Sequence, residues 1–128
     1  MKSGGSSSSQ ISALVVDDDF VIRQIHSAML KSFGVDVQLA VNGKEAVDLF
    51  RSGTNVHIVF MDMDMPVMNG IMATRELRAM GVNTMIVGVS SRYLDEDRER
   101  FMSAGLNRFY EKPLTMTDIR SLLDEMQG

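Results

Sequence analysis

Five short apolar runs alternate with five helix-like segments along this chain, and three of the runs are apolar almost throughout: "ALVV" (13–16), "HIVFM" (57–61) and "MIVGV" (85–89). A strand with one wet face alternates apolar and polar residues. A solidly apolar strand must be covered on both faces, which is the setting of parallel strands under helices. Regular alternation of strand and helix then predicts an α/β domain with right-handed crossovers. Ligands of such sheets bind beyond the carboxyl ends of the strands, so the chemistry of this chain is to be sought there.

The segments between the runs have helical punctuation. Ile22, Ile25, Met29, Leu30 and Phe33 are spaced to form the inner face of a first helix that stops near Gly34. "VDVQLAV" (35–41) alternates, as an edge strand does. Asn42 with Glu45 three residues on is a capping signal for a second helix, with Ala46, Val47 and Phe50 inward and a stop at Gly53. "GIMATRELRAM" (70–80) reads as a third helix ending at Gly81, and residues 94–104 as a fourth ending at Gly105. "RFYE" (108–111) is a short fifth strand. Thr115 and Asp118 pair as a cap for a last helix that buries Ile119, Leu122, Leu123 and Met126.

Composition narrows the function. The 128 residues fit one domain, and a net charge of -4 disfavours a nucleic-acid-binding surface. Cysteine is absent, which removes disulfides, thiolate catalysis and Cys-ligated zinc and fits a reducing compartment, cytoplasmic or nuclear. No apolar run approaches the ~20 residues of a membrane span, and no secretory signal is evident. "MKSGGSSSSQ" (1–10) is a Gly/Ser-rich tail expected to be disordered, so the folded domain is expected over 11–128, with no sequence left for a second one.

The residues just after the apolar runs form one constellation. Asp17 and Asp18 follow the first, Asp62 and Asp64 the third, Ser90 and Ser91 the fourth, and Lys112 the fifth. Buried isolated acids are costly, so these carboxylates must be solvated, paired or holding a cation. An all-oxygen site with few protein ligands suits Mg²⁺. Acids, a lysine, a hydroxyl and Mg²⁺ suit a phosphoryl group: cation and lysine neutralise its oxygens while a carboxylate attacks in line.

Four motifs, "LVVDDD", "FMDMDMPVMNG", "IVGVSS" and "FYEKPL", occur in the order and spacing of the receiver domain of two-component response regulators. The chain resembles that family over about residues 12–127. The resemblance implies a flavodoxin-like (βα)5 fold, doubly wound, with a five-stranded parallel sheet ordered 2-1-3-4-5. It implies Asp62 as phosphoacceptor, Asp18 as a direct ligand of Mg²⁺ or Mn²⁺, Asp17 as a ligand through water, and Asp64 as a ligand through its backbone carbonyl. Ser90 and the Ser91 backbone N–H would bind phosphoryl oxygens, as would Lys112, whose bond to Pro113 is commonly cis in the family. Phe109 falls at the aromatic switch position, without the phenol hydroxyl some members carry there. Phosphotransfer partners dock across the first helix and the loop after the last strand, which nominates Phe20, Pro113 and Leu114 as exposed anchors. The implied partners are a histidine phosphotransfer protein and an upstream hybrid histidine kinase, with the receiver a monomer. With no output domain in view, the chain is most similar to plant receivers of type C: a relay step, a competitor or a phosphate sink.

Several residues invite plainer readings. Asp19 is expected to cap the first helix, and His26 and His57 to be structural. "DEDRER" (95–100) is expected to be a solvated helix face, with partner contact the lesser alternative. Met63 and Met65 flank the acids; they either line the rim of the site or pack in the core. Asp64 and Arg92 are expected to pair across the mouth of the site and slow attack by water, or else a free Asp64 orients that water. Two other functions compete. "DMDMP" superficially fits an aspartyl phosphatase of haloacid-dehalogenase type, but there the metal-binding acids come later in the chain. The other is a binding module that acts unphosphorylated.

Overall fold

The computed structural model describes residues 10–92 and 94–127. The Gly/Ser-rich tail, except Gln10, lies outside them. Strand and helix alternate throughout: β1 Ser12–Val16, α1 Phe20–Ser32, β2 Asp36–Ala40, α2 Gly43–Arg51, β3 Ile58–Asp62, α3 Gly70–Ala79, β4 Met85–Ser90, α4 Asp95–Ser103, β5 Arg108–Glu111 and α5 Met116–Gln127. The five strands form one sheet in the order β2-β1-β3-β4-β5, every neighbouring pair parallel. This is the predicted doubly wound sheet, and the alternating "VDVQLAV" does supply an edge strand.

Side chains along a strand point to opposite faces in turn, and the core divides accordingly. Leu14, Val16, Val59, Met61 and Ile86 face Ala46 and Val47 of α2, Leu77 of α3 and Phe101 of α4. Ala13, Val15, Ile58, Phe60, Val87 and Val89 face Leu30 of α1 and Ile119, Leu122 and Leu123 of α5. β1, β3 and β4 therefore have no polar face.

The helix starts follow the capping chemistry. Asp19 Oδ1 accepts from the Ile22 N–H (3.2 Å), Asn42 from Glu45 (2.8 Å) and Asn69 from Met72 (2.9 Å). Thr115 and Asp118 cap reciprocally, each backbone N–H meeting the other's side chain at 3.0 Å. Glycines at 34, 53, 81 and 105 all take positive φ at the predicted stops. Among the described residues no helix is long and apolar enough to cross a membrane.

Two expectations fail. Ile25 is exposed, and His26 and Ser27 take the inward positions of α1 beside Leu30. A polar ring can face the core there because a backbone N–H meets it. The run 95–100 is not uniformly solvated either: Asp97 is 4% exposed. It stands 3.4 Å from Arg100 and 3.9 Å from Arg92, and a buried carboxylate needs such cations.

Arg78 has a role the sequence did not suggest. Its guanidinium donates to the carbonyls of Gly105 (2.9 Å), Val82 (2.8 Å) and Thr84 (2.8 Å) and to Asn107 Oδ1 (2.8 Å). It ties α3 to the entries of β4 and β5, at the opposite end of the sheet from the strand-end acids.

Candidate functional site

β1 and β3 are adjacent in register, Val16 beside Met61, so their next residues, Asp17 and Asp62, emerge side by side. Carboxylate oxygens of Asp17, Asp18 and Asp62 all lie within 4.8 Å of one another. Asp17 is buried and fully engaged. Its N–H donates to the Ala40 carbonyl (3.1 Å) and its own carbonyl accepts from Arg23 (2.7 Å). Its Oδ1 accepts from the Asp19 N–H (2.9 Å), and its Oδ2 meets Lys112 Nζ (3.0 Å). The same ammonium reaches Asp62 Oδ1 at 3.2 Å. Asp18 is exposed. Lys112, from the end of β5, thus bridges the ends of β1 and β3.

The electrostatics follow from burial. Asp62 is 3% exposed. Desolvation, then the neighbouring Asp17, push its carboxyl up to about 7, against the opposing pull of Lys112. Burial alone would lower Lys112, but its hydrogen bonds and charge pairing with Asp17 and Asp62 leave it raised. Among the described residues, one ammonium group pairs with Asp17 and Asp62 in a cluster of three carboxylates, so the cluster has carboxylates in excess. All its donors are hard oxygens and one acid is open to solvent. The residues present fit a divalent cation such as Mg²⁺, with Asp17, Asp18 and Asp62 as its holders.

On the other side β4 pairs with β3, Val89 beside Asp62, and delivers Ser90, which is fully buried. Ser90 Oγ accepts from the Arg92 N–H (3.0 Å), and its carbonyl accepts from the Lys112 N–H (2.9 Å). Ser91 is exposed. The expected pair across the mouth is present and bidentate: Arg92 donates to Asp64 at 2.9 and 3.3 Å. Phe109 is buried, edge-on to Phe101 with ring centres 6.0 Å apart. The Lys112–Pro113 peptide is cis.

Gly70 lets α3 approach the end of β3. A Cβ there would overlap the Asp62 carbonyl oxygen, and the Gly70 N–H donates to the Met63 carbonyl (3.0 Å).

Not every nominated residue lies where it was expected. Met63 is 2% exposed and packs in the core, so it does not rim the site. A residue continuing the strand pleat past Asp62 points back into the apolar layer. Leu114 is 2% exposed, packed with Ile119, and is no surface anchor. Phe20 (64% exposed) and Pro113 are at the surface, and Val21 and Ile25 extend the apolar strip on α1. Asp19 is the helix cap expected. His57 is structural: its Nδ1 accepts from the Ser12 N–H at 3.0 Å. Val67 was missed altogether. It is 74% exposed with φ 71°, and the Met68 N–H closes a three-residue turn onto the Pro66 carbonyl (2.8 Å). This is the strained kind of γ-turn, and a β-branched residue is the least expected to adopt it.

The model of the response regulator receiver domain matches residues 13–124, and this chain belongs to that family. It is similar to Two-component response regulator 24 of Arabidopsis thaliana, 48% identical over 92% of this chain and 85% of that protein. Among solved structures it is similar to the receiver domain of sensor histidine kinase PA1611 from Pseudomonas aeruginosa, which has a magnesium ion in its active-site cleft. That likeness has a TM-score of 0.84, with 30% identity over 93% of this chain and 99% of that one. It is also similar to the Saccharomyces cerevisiae Ssk1 receiver domain crystallised with the histidine phosphotransfer protein Ypd1. There the TM-score is 0.84, with 25% identity over 91% and 88%. The haloacid-dehalogenase reading is left without support.

Proposed function

We propose that this receiver takes a phosphoryl group from the phosphohistidine of a histidine phosphotransfer protein onto Asp62, and works as a stand-alone phosphorelay component. The observation that carries the reading is the buried Asp62 carboxylate at the end of β3. It has Asp17 and Asp18 within 4.8 Å and Lys112 at 3.2 Å.

An Asp62 oxygen attacks phosphorus in line. The P–O bond forms as the P–N bond to the donor imidazole breaks, and the departing nitrogen takes a proton from solvent. Mg²⁺ (or Mn²⁺), held by Asp18, Asp62 and the Asp64 backbone carbonyl, and by Asp17 through water, would neutralise charge on the phosphoryl oxygens. Lys112 turns from Asp62 to a phosphoryl oxygen without leaving Asp17. The Ser90 hydroxyl donates to another oxygen, assisted by the Ser91 N–H, and Phe109 responds to the movement of Ser90. Phe20 and Pro113, with Val21 and Ile25, offer the apolar docking strip beside the site. The Arabidopsis match occupies 85% of that relative, which leaves no length there for a folded output domain and supports the stand-alone reading.

The test is phosphoryl transfer. With Mg²⁺ and a labelled phosphotransfer protein, the wild-type chain is expected to take the label and Asp62→Asn to take none. Return of label to the partner marks a relay step, and release as inorganic phosphate marks a sink. Equal labelling of Asp62→Asn overturns the assignment. Unchanged partner affinity in that variant, with no labelling of wild type, favours the phosphorylation-independent module.

A further inference from the structure

His26 takes no part in the chemistry above, yet its place in the fold is specific. The ring is 1% exposed on the inner side of α1. Its Nε2 lies 3.0 Å from the backbone N–H of Leu114, a buried hydrogen bond spanning 88 residues of sequence. Leu114 is two residues beyond Lys112, and the intervening Pro113 has no N–H to offer. The Lys112 N–H is held by the Ser90 carbonyl at 2.9 Å. The chain carrying the site's ammonium group therefore has two backbone moorings, Ser90 before Pro113 and His26 after it.

The donor is a backbone amide, so Nε2 must be the acceptor and the ring neutral, with its proton on Nδ1. Burial lowers the pKa of His26 and favours that neutral form; Asp17 opposes the shift and Lys112 adds to it. Nδ1 has no protein partner among the described residues. An aliphatic side chain here would remove one unpaired buried N–H, at Nδ1, and create another, at Leu114. The two costs are alike in kind and largely offset. His26 thus adds little to stability that a leucine would lack, while it does hold Leu114.

We propose that His26 is a positioning residue for phosphoryl acceptance: by mooring Leu114 it sets where Lys112 Nζ stands against Asp17 and Asp62. The proposal rests on the phosphoacceptor reading of Asp62.

The test uses the full chain, Mg²⁺ and acetyl phosphate as a donor that needs no docking. His26→Leu is expected to slow phosphoryl uptake about tenfold, with Mg²⁺ affinity and melting temperature near wild type. His26→Gln, which can present an oxygen to the Leu114 N–H, is expected to recover most of the rate. In a Lys112→Met background, His26→Leu is expected to cost nothing further, because its effect runs through the lysine. Imidazole ¹⁵N spectra of the wild type are expected to show the proton on Nδ1. Uptake by His26→Leu equal to wild type overturns the proposal, as does an additive loss in the Lys112→Met background. A proton on Nε2 removes the mooring itself. A wild type that takes up no phosphoryl group overturns the Asp62 reading first, and the imidazole spectrum then still reports on the mooring separately.

Discussion

Asp62 and Asp64 are two residues apart, and each faces a basic partner, yet the two pairs differ physically. Asp62 ends β3 and is nearly sealed, and the Lys112 side chain beside it is 13% exposed. Asp64 and Arg92 are each 54% exposed. In the sealed pair, desolvation and the Asp17 charge outweigh the lysine, so Asp62 holds a proton to about pH 7 unless more positive charge arrives. In the open pair, water and salt screen both partners, and the geometry constrains more than it stabilises. Burial, more than residue type, separates the two carboxylates.

The contrast can be broken at its strong end first. Beyond the loss of labelling in Asp62→Asn, the largest expected effect is that of Lys112→Met. Removing the ammonium group that pairs with both buried carboxylates should destabilise the metal-free protein at pH 8 by about 3 kcal/mol. Saturating Mg²⁺ should shrink that loss, because the cation supplies the missing charge. Urea denaturation in chelator and in Mg²⁺ measures both, and an equal loss in the two conditions would show that Lys112 does not answer the carboxylates.

A smaller effect is expected from pH. The folded pKa of Asp62, about 7, lies above the usual carboxylate value of 3.8, so between those values the folded chain holds a proton that the unfolded chain has released. This contribution to stability is fully present below about pH 4 and is lost as pH rises through 7. Metal-free protein should therefore lose stability between about pH 4 and pH 7 relative to Asp62→Asn, with no further loss above that, and Mg²⁺ should flatten the difference. A flat metal-free difference would mean that Asp62 is ionised throughout.

The fold was legible because two independent signals agreed. Solid apolar runs demanded covered strands, and capping residues such as Asn42, Thr115 and Asp118 marked where helices begin. The site was legible because the topology gathers strand ends, so residues distant in sequence could be joined without any contact information. What stayed hidden depended on orientation. The apolar spacing put Ile25 on the inner face, but α1 is rotated so that His26 faces inward, and the hydrogen bond that His26 accepts there comes from Leu114, far along the chain. Leu114 looked like a surface anchor and Met63 was open between rim and core because both flank site residues; the strand pleat and the last turn before α5 direct them into the core. Asp97 looked like one charge in a solvated run until two arginines enclosed it. The turn at Val67 runs against its own residue preference, so propensity could not find it.

The weak end of the contrast yields the smallest and most discriminating prediction. Because Asp64 and Arg92 are exposed, Asp64→Asn should leave unfolding by urea unchanged and Arg92→Ala should cost only the little that its 3.9 Å approach to Asp97 supplies, so the main effect should appear in the lifetime of the phosphorylated protein. If the pair shields the phosphoryl group, each substitution shortens the half-life about threefold and the double variant is no worse than either. High salt should then act on wild type as Arg92→Ala does. If Asp64 instead orients the attacking water when freed, Arg92→Ala shortens the half-life and Asp64→Asn lengthens it. The sign of the Asp64→Asn effect decides between a guard and a guide, and an unchanged half-life in both variants removes the pair from the chemistry. In that case the bidentate contact does no more than fix the entry to α4, where Arg92 also approaches Asp97.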